Sequence, residues 1–235
     1  MRIDILTGLP SLFDGPLTES IVKRARKAGQ VEIVVHDLRD HAHDKHRSID
    51  DSPYGGGAGM ILKPEPIFEC VEALRAQRSY DDVILTTPKG ALWSQREANR
   101  VSMLDAVIVI CGHYKGVDER VRQALVTREI SIGDFVLTGG ELVAMVIVDT
   151  VVRLIPGVIG DGESLLSDSF MDGRLDCPYY TRPPEYRGLN VPDALQSGNH
   201  REIAAWRESE ALKITRERRP DLLNGAEQAG TQHEK

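Results

Sequence analysis

The stretch Ala106-Val-Ile-Val-Ile-Cys111 is apolar at every position, with four β-branched residues in a row, and is bounded by Asp105 and Gly112. Six residues suit a strand rather than a helix. A strand with no polar alternation has to be covered on both faces, which is the situation of a central strand in a parallel sheet. Shorter β-branched runs at Arg2 to Leu6, Val31 to Val35 and Val83 to Thr86 alternate with helical stretches at Leu17 to Ala28, Pro64 to Gln77 and Val117 to Val126. That alternation predicts an α/β fold with a parallel sheet and helices on both faces. Leu142 to Ile155 is apolar nearly all round, as expected of a helix buried in the core or at a subunit interface.

The chain has 235 residues, room for one large domain or two modest ones. Charged residues make up 28% and hydrophobic ones 41%, so disordered, collagenous and coiled-coil classes are excluded. No apolar run approaches the length of a membrane span, and Met1-Arg2-Ile3-Asp4 does not begin like a secretory signal. Three widely spaced cysteines, Cys70, Cys111 and Cys177, make neither a disulfide framework nor a zinc ribbon and point to a reducing cytoplasm. Cys177 and Trp93 are read as packing residues. A net charge of −7 lacks the basic excess of a non-specific nucleic-acid binder. Contact with phosphates must therefore be local. Lys23, Arg24, Arg26 and Lys27, and further on Lys213, Arg216, Arg218 and Arg219, are available for it, though each run also reads as a solvated helix face.

Beyond Pro156 the texture changes. Residues 157–176 (GVIGDGESLLSDSFMDGRLD) are rich in Gly, Ser and Asp and read as a long, mobile connector. Asn199 to Arg219 is helical, with Asn199 as N-cap and Ile203, Trp206 and Ile214 near one face. Arg218-Arg219-Pro220-Asp221 ends that helix and can begin another. The polar tail from Ala226 is expected to fray.

Four glycine-rich segments stand out. Pro53-Tyr54-Gly55-Gly56-Gly57-Ala58-Gly59-Met60 leaves backbone amides bare, as a flexible surface loop or as a place of close approach. It lacks the Gly-Lys-Ser/Thr of a P-loop, and no strand-GxGxxG-helix unit is present, which disfavours a nicotinamide enzyme. Leu85-Thr-Thr-Pro-Lys-Gly90 and Cys111 to Arg120 (CGHYKGVDER) each follow a predicted strand, and Ser131 to Glu141 (SIGDFVLTGGE) is the last. The carboxyl edge of an open α/β sheet is where ligands bind, and loops with free amides suit a planar heterocycle. Each is equally readable as a turn and helix cap.

The strings DDSPYGGGAGM, CGHYKGVDERV, SIGDFVLTGGEL, LLSDSF, LDCPYYTRPP and SGNHREIAAWR, in that order, resemble the bacterial tRNA (guanine-N1)-methyltransferases, knotted SPOUT-class enzymes, over roughly residues 1–220. The resemblance implies a knotted α/β catalytic domain over residues 1–159, a flexible linker over 160–176, and a small helical tRNA-binding domain over 177–235. It implies S-adenosylmethionine as donor, N1 of guanine 37 in tRNA as acceptor, magnesium dependence, and a cytoplasmic homodimer with active sites at the subunit interface. By position, the cofactor cleft would be lined by Leu85, Thr86, Pro88, Gly112, Gly116, Ile132, Gly133, Phe135, Leu137, Gly139 and Gly140. The tRNA would be held by Tyr54, Gly55, Gly56, Gly57, Ser197, Asn199, His200 and Arg201. Lys115 stands where many relatives have Glu, Phe135 where many have Tyr, and Val143 where Pro is common.

Methylation at N1 requires a base to take the N1 proton and a cation to offset charge developing on O6. The resemblance assigns these to Asp168 and Arg153. From the residues alone, Asp168 is a helix N-cap or solvated loop acid, and Arg153 at a helix end answers to the helix dipole. With the base on a mobile linker, RNA would complete the site by ordering that segment. Three other readings compete: a non-catalytic RNA-binding protein, a related methyltransferase acting on ribosomal RNA, and a metal-dependent hydrolase built on His41, His43, Asp44 and His46. The last cluster fits no standard zinc spacing.

Overall fold

A computed structural model gives the structure of the protein over residues 1–160 and 167–223; part of the connector (161–166) and the tail from 224 lie outside the described residues. The chain divides into two compact units, the first ending at Gly160.

The first unit is a parallel sheet of β1 (Arg2–Thr7), β2 (Glu32–Asp37), β5 (Asp82–Leu92), β6 (Ala106–Cys111) and β7 (Arg128–Ser131), in the order β2-β1-β6-β5-β7. The six-residue apolar run is β6, the middle strand, and all its residues are buried. Alternation along β6 sends Val107, Val109 and Cys111 to one face and Ile108 and Ile110 to the other. The first face is covered by α1 (Ser20–Lys27), α3 (Gln95–Ser102) and α5 (Glu141–Val152), through residues such as Val22, Val101 and Ile147. The second is covered by α2 (Pro64–Arg75) and α4 (Glu119–Leu125), through Ile67, Val71 and Val121. A short antiparallel pair, β3 (Asp50–Asp51) and β4 (Ile61–Leu62), closes the glycine-rich loop between them.

Several elements differ from the sequence expectation. The helix expected from Leu17 begins only at Ser20, because a separate 3-10 turn occupies Pro16–Thr18 and Ser20 itself has φ 52°. Helix α3 went unread because it is polar and buries only Ala98 and Val101. Strand β7 is only four residues long and opens with two charges.

In the second unit, α6 (Asp193–Gln196) leads into α7 (His200–Arg218). Asn199 caps α7 as expected, its side chain accepting from the amides of Arg201 at 3.1 Å and Glu202 at 3.5 Å. Thr215 is buried and its hydroxyl accepts from the Leu175 amide at 3.0 Å, while Tyr180 meets Trp206 edge-on. The end of the connector carries its own hydrogen bonds, including Phe170 N to Arg174 O at 2.6 Å and Asp176 N to Ser169 Oγ at 3.0 Å. The helical unit also carries a small hairpin of β8 (Glu185–Tyr186) and β9 (Leu189–Asn190). Helical geometry resumes at 221–223. Among the described residues no helix is long and apolar enough to cross a membrane.

Candidate active site

Because the strands are parallel, their carboxyl ends share one edge. Here the three glycine-rich segments meet. Strand β5 pairs with β7 up to Thr86, lets Thr87-Pro88-Lys89-Gly90 bulge outward, and resumes pairing at Ala91 opposite the same Ile130. The first loop is thus a bulge inside a strand rather than a strand-to-helix turn. Proline cannot donate to the ladder, which suits it to the bulge. Gly90 brings the chain back so close to β7 that a Cβ would overlap Ile130 N and the Glu129 carbonyl carbon.

The second and third loops are tied to each other. Gly140 N donates to Gly112 O at 2.6 Å, and His113 pairs with Gly139 in an antiparallel bridge. Thr86, on β5, joins the set: its hydroxyl donates to Ile110 O and accepts from the Gly112 amide, both at 3.2 Å. A Cβ on Gly140 would overlap that hydroxyl, and one on Gly112 would sit 2.9 Å from Thr86 O. Side chains are missing here because the backbones are already in contact.

The loops enclose a cleft of about 260 Å³, and all eleven residues expected around a cofactor line it. Leu85, Ile132 and Leu137 give it apolar walls, Phe135 leaves its ring half exposed, and Gly112, Gly116, Gly133, Gly139 and Gly140 leave backbone bare. The sequence reading missed Tyr114, Glu129 and Arg122 among the lining residues. Tyr114 has φ 56°, uncommon outside glycine and frequent at functional sites. Arg122 is held by Glu119 at 2.5 Å and by Glu129 at 3.4 Å. The Arg122 hydrogen bond keeps the Glu119 carboxyl below its ordinary range.

Beneath the cleft lies a buried carboxylate. Glu141, in the first turn of α5, accepts from the Thr7 hydroxyl at 2.8 Å, and its other oxygen lies 3.6 Å from His113 Nδ1. Burial, reinforced by the charge of Glu141, pushes the Cys111 thiol well above its ordinary value. That leaves Cys111 protonated and unreactive.

The other expected residues lie elsewhere. Arg153 follows α5 as its C-cap, where its charge complements the helix dipole, and it does not line the cleft. Asp168 belongs to the second unit, half-buried, near the Tyr179 phenol. Burial, then the charge of Asp176, raises the Tyr179 hydroxyl above its usual range. Gly55, Gly56 and Gly57 take positive φ values of 82°, 78° and 107° beside a fully exposed Tyr54, and do not line the cleft. The far end of that loop reaches it: Gly59 packs on the Lys115 stem and Lys115 N donates to Met60 O. Ser197 and Asn199 are used in the turn before α7, and His200 and Arg201 are exposed at its start. His43 pairs with Glu69 at 2.8 Å, and Asp44 closes the turn to Ser48. Among the described residues no group of three or more His, Cys, Asp or Glu side chains is placed to hold a metal ion, and the magnesium implied by resemblance is assigned no residue. Trp93 donates to Thr150 at 3.0 Å against the core, and Cys177 is buried.

A glycine-lined cleft over the carboxyl edge of a parallel sheet is the place where α/β proteins of this class receive a small ligand close to the backbone. Residues 1–225 match the family model described as tRNA (Guanine-1)-methyltransferase TrmD. A tRNA (guanine-N(1)-)-methyltransferase from Geobacter sp. (strain M21) is 57% identical over 97% of this chain and 91% of its own length. Those of Chlorobium chlorochromatii (strain CaD3) and Chloroflexus aggregans (strain MD-66 / DSM 9485) are 52% and 56% identical, over 96% and 98% of this chain and 98% and 90% of their own. The chain belongs to the tRNA (guanine-N1)-methyltransferase family, with the SPOUT fold class of that family. Its activity is methyl transfer to N1 of a guanine in tRNA.

Proposed function

We propose that this enzyme takes its methyl group from S-adenosylmethionine and delivers it to N1 of guanine 37, beside the anticodon, acting as a cytoplasmic homodimer. The observation that carries the reading is the convergence of eleven residues from three separate segments on one cleft. The glycines of the three loops would let the donor approach the backbone closely, with Ile132, Phe135 and Leu137 against its adenine. When bound, S-adenosylmethionine supplies an electrophilic methyl on a sulfonium sulfur, which keeps the bonding pair as a neutral thioether.

The chain's own residues do the rest. Asp168 takes the N1 proton as nitrogen forms its bond to the methyl carbon; a carboxylate does this best when partly shielded from water. Arg153 holds a fixed positive charge at O6, where negative charge grows as the proton leaves. His200 and Arg201, with the basic run to Arg219, meet tRNA phosphates and loop nucleotides. Tyr54 and the glycines beside it would approach the RNA backbone closely.

Homodimerisation is supported by α5, where Leu142 and Val146 expose apolar side chains on a largely buried helix. The test is transfer of labelled methyl to two tRNA transcripts differing only in guanine or adenine at position 37. Label on the guanine transcript alone is expected; equal label on both would move the target elsewhere.

A further inference from the structure

The tip of the β8–β9 hairpin is built against its local preference. Tyr186 pairs with Leu189, leaving Arg187 and Gly188 as a two-residue turn, and their φ values are 54° and 80°. Positive φ at both central positions is the type I′ geometry, which favours Asn, Asp or Gly at the first of them. Arginine gains nothing from the backbone there. Its guanidinium instead lies over the Tyr186 ring, 5.2 Å from the centroid. Glu185, the nearest carboxylate in sequence, is engaged within the turn, its Oε1 accepting from Gly188 N at 2.6 Å.

The tip is also exposed. Every residue from 181 to 190 is open to solvent, with Tyr186 58% and Leu189 76% exposed. Cross-strand partners lie side by side on one face, so Tyr186 and Leu189 form a single apolar step edged by a positive charge. Arg182 adds a second cation in the same exposed segment. An unpaired aromatic face capped by a planar cation is the arrangement on which nucleic-acid bases stack, while a flanking phosphate meets the charge.

We propose that Tyr186, Arg187 and Leu189 form a stacking platform for an unpaired nucleotide of the tRNA, separate from the transfer chemistry. This rests on the reading that tRNA is the substrate and adds residues outside those expected at the start of α7.

The turn supplies its own control. Glycine is the residue the Arg187 backbone favours, so Arg187→Gly removes the guanidinium while relieving the turn. In the full-length chain, Arg187→Gly and Tyr186→Ala are expected to raise KM for a tRNA transcript at least about fivefold, the low end of what base stacking contributes. Neither should change kcat or KM for S-adenosylmethionine, neither should lower Tm, and Tyr186→Trp should restore tRNA binding. KM for tRNA within twofold of wild type in both variants would overturn the proposal. So would a KM that rises only together with a fall in Tm. A wild-type chain that methylates no tRNA would overturn the underlying reading, and the platform with it.

Discussion

Glu141 shows how a single residue serves the site without reaching it. Its buried carboxylate joins Thr7 at the end of β1 to His113 in a cleft loop. Glu141→Ala would leave the buried Thr7 hydroxyl without its carboxylate acceptor, and urea denaturation should show a loss of about 1–3 kcal/mol. Asp4 is a second buried acid, on β1, bonded to Arg2 at 2.6 Å, His36 at 2.6 Å and the Tyr80 hydroxyl at 2.7 Å. Burial alone would push its carboxyl up, but these bonds outweigh burial and hold it far below the ordinary range. A carboxyl depressed in the folded state stabilises fully above its unfolded value, near about pH 4, and loses that stabilisation as pH falls below it. The gap between the urea midpoints of wild type and Asp4→Asn should therefore begin to narrow below about pH 5 and keep narrowing as the pH is lowered further; a constant gap would contradict this. Neither network was legible in sequence, since Thr7, Glu141 and His113, or Asp4, His36 and Tyr80, are brought together only by the sheet.

Among the elements, those with a strong hydrophobic period were readable and those held by context were not. Strand β6 was bounded correctly because no other environment suits six apolar residues. Helix α7 was bounded by its cap. Helix α3 did carry a signal, Ser94 three residues before Glu97, and in the structure the Ser94 hydroxyl accepts from the Glu97 amide at 3.4 Å. The long β5 was read only to Thr86, because Pro88 and Gly90 look like the end of a strand when they mark a bulge. What defines that bulge is contact with β7, which sequence does not display. Gly90→Ala should force β5 and β7 apart, destabilising the protein by about 1–3 kcal/mol in urea denaturation and weakening S-adenosylmethionine binding in calorimetry. Unchanged binding would show that the bulge does not shape the cleft.

On the scale of the whole molecule, the proposed function divides the work between the two units. The cleft belongs wholly to the first unit, whereas Asp168 lies in the second. The three cleft loops were legible because their glycines cluster in short strings, whereas the eleven individual residues came through resemblance. The roles of Asp168 and Arg153 came only through resemblance, since an acid in a polar segment and a base at a helix end each have an ordinary explanation. The exposed apolar side chains of α5 give the proposed dimer a test: Val146→Asp should yield a monomer in analytical ultracentrifugation and lose methyl transfer with it, and an active monomer would place both halves of the site in one chain. The division itself is tested most directly by Asp168→Asn, measured for S-adenosylmethionine affinity and for single-turnover methylation of tRNA. If Asp168 is the base, affinity stays within twofold of wild type and the rate falls by about a hundredfold or more, the scale of a lost general base. A rate left at the wild-type value would contradict it.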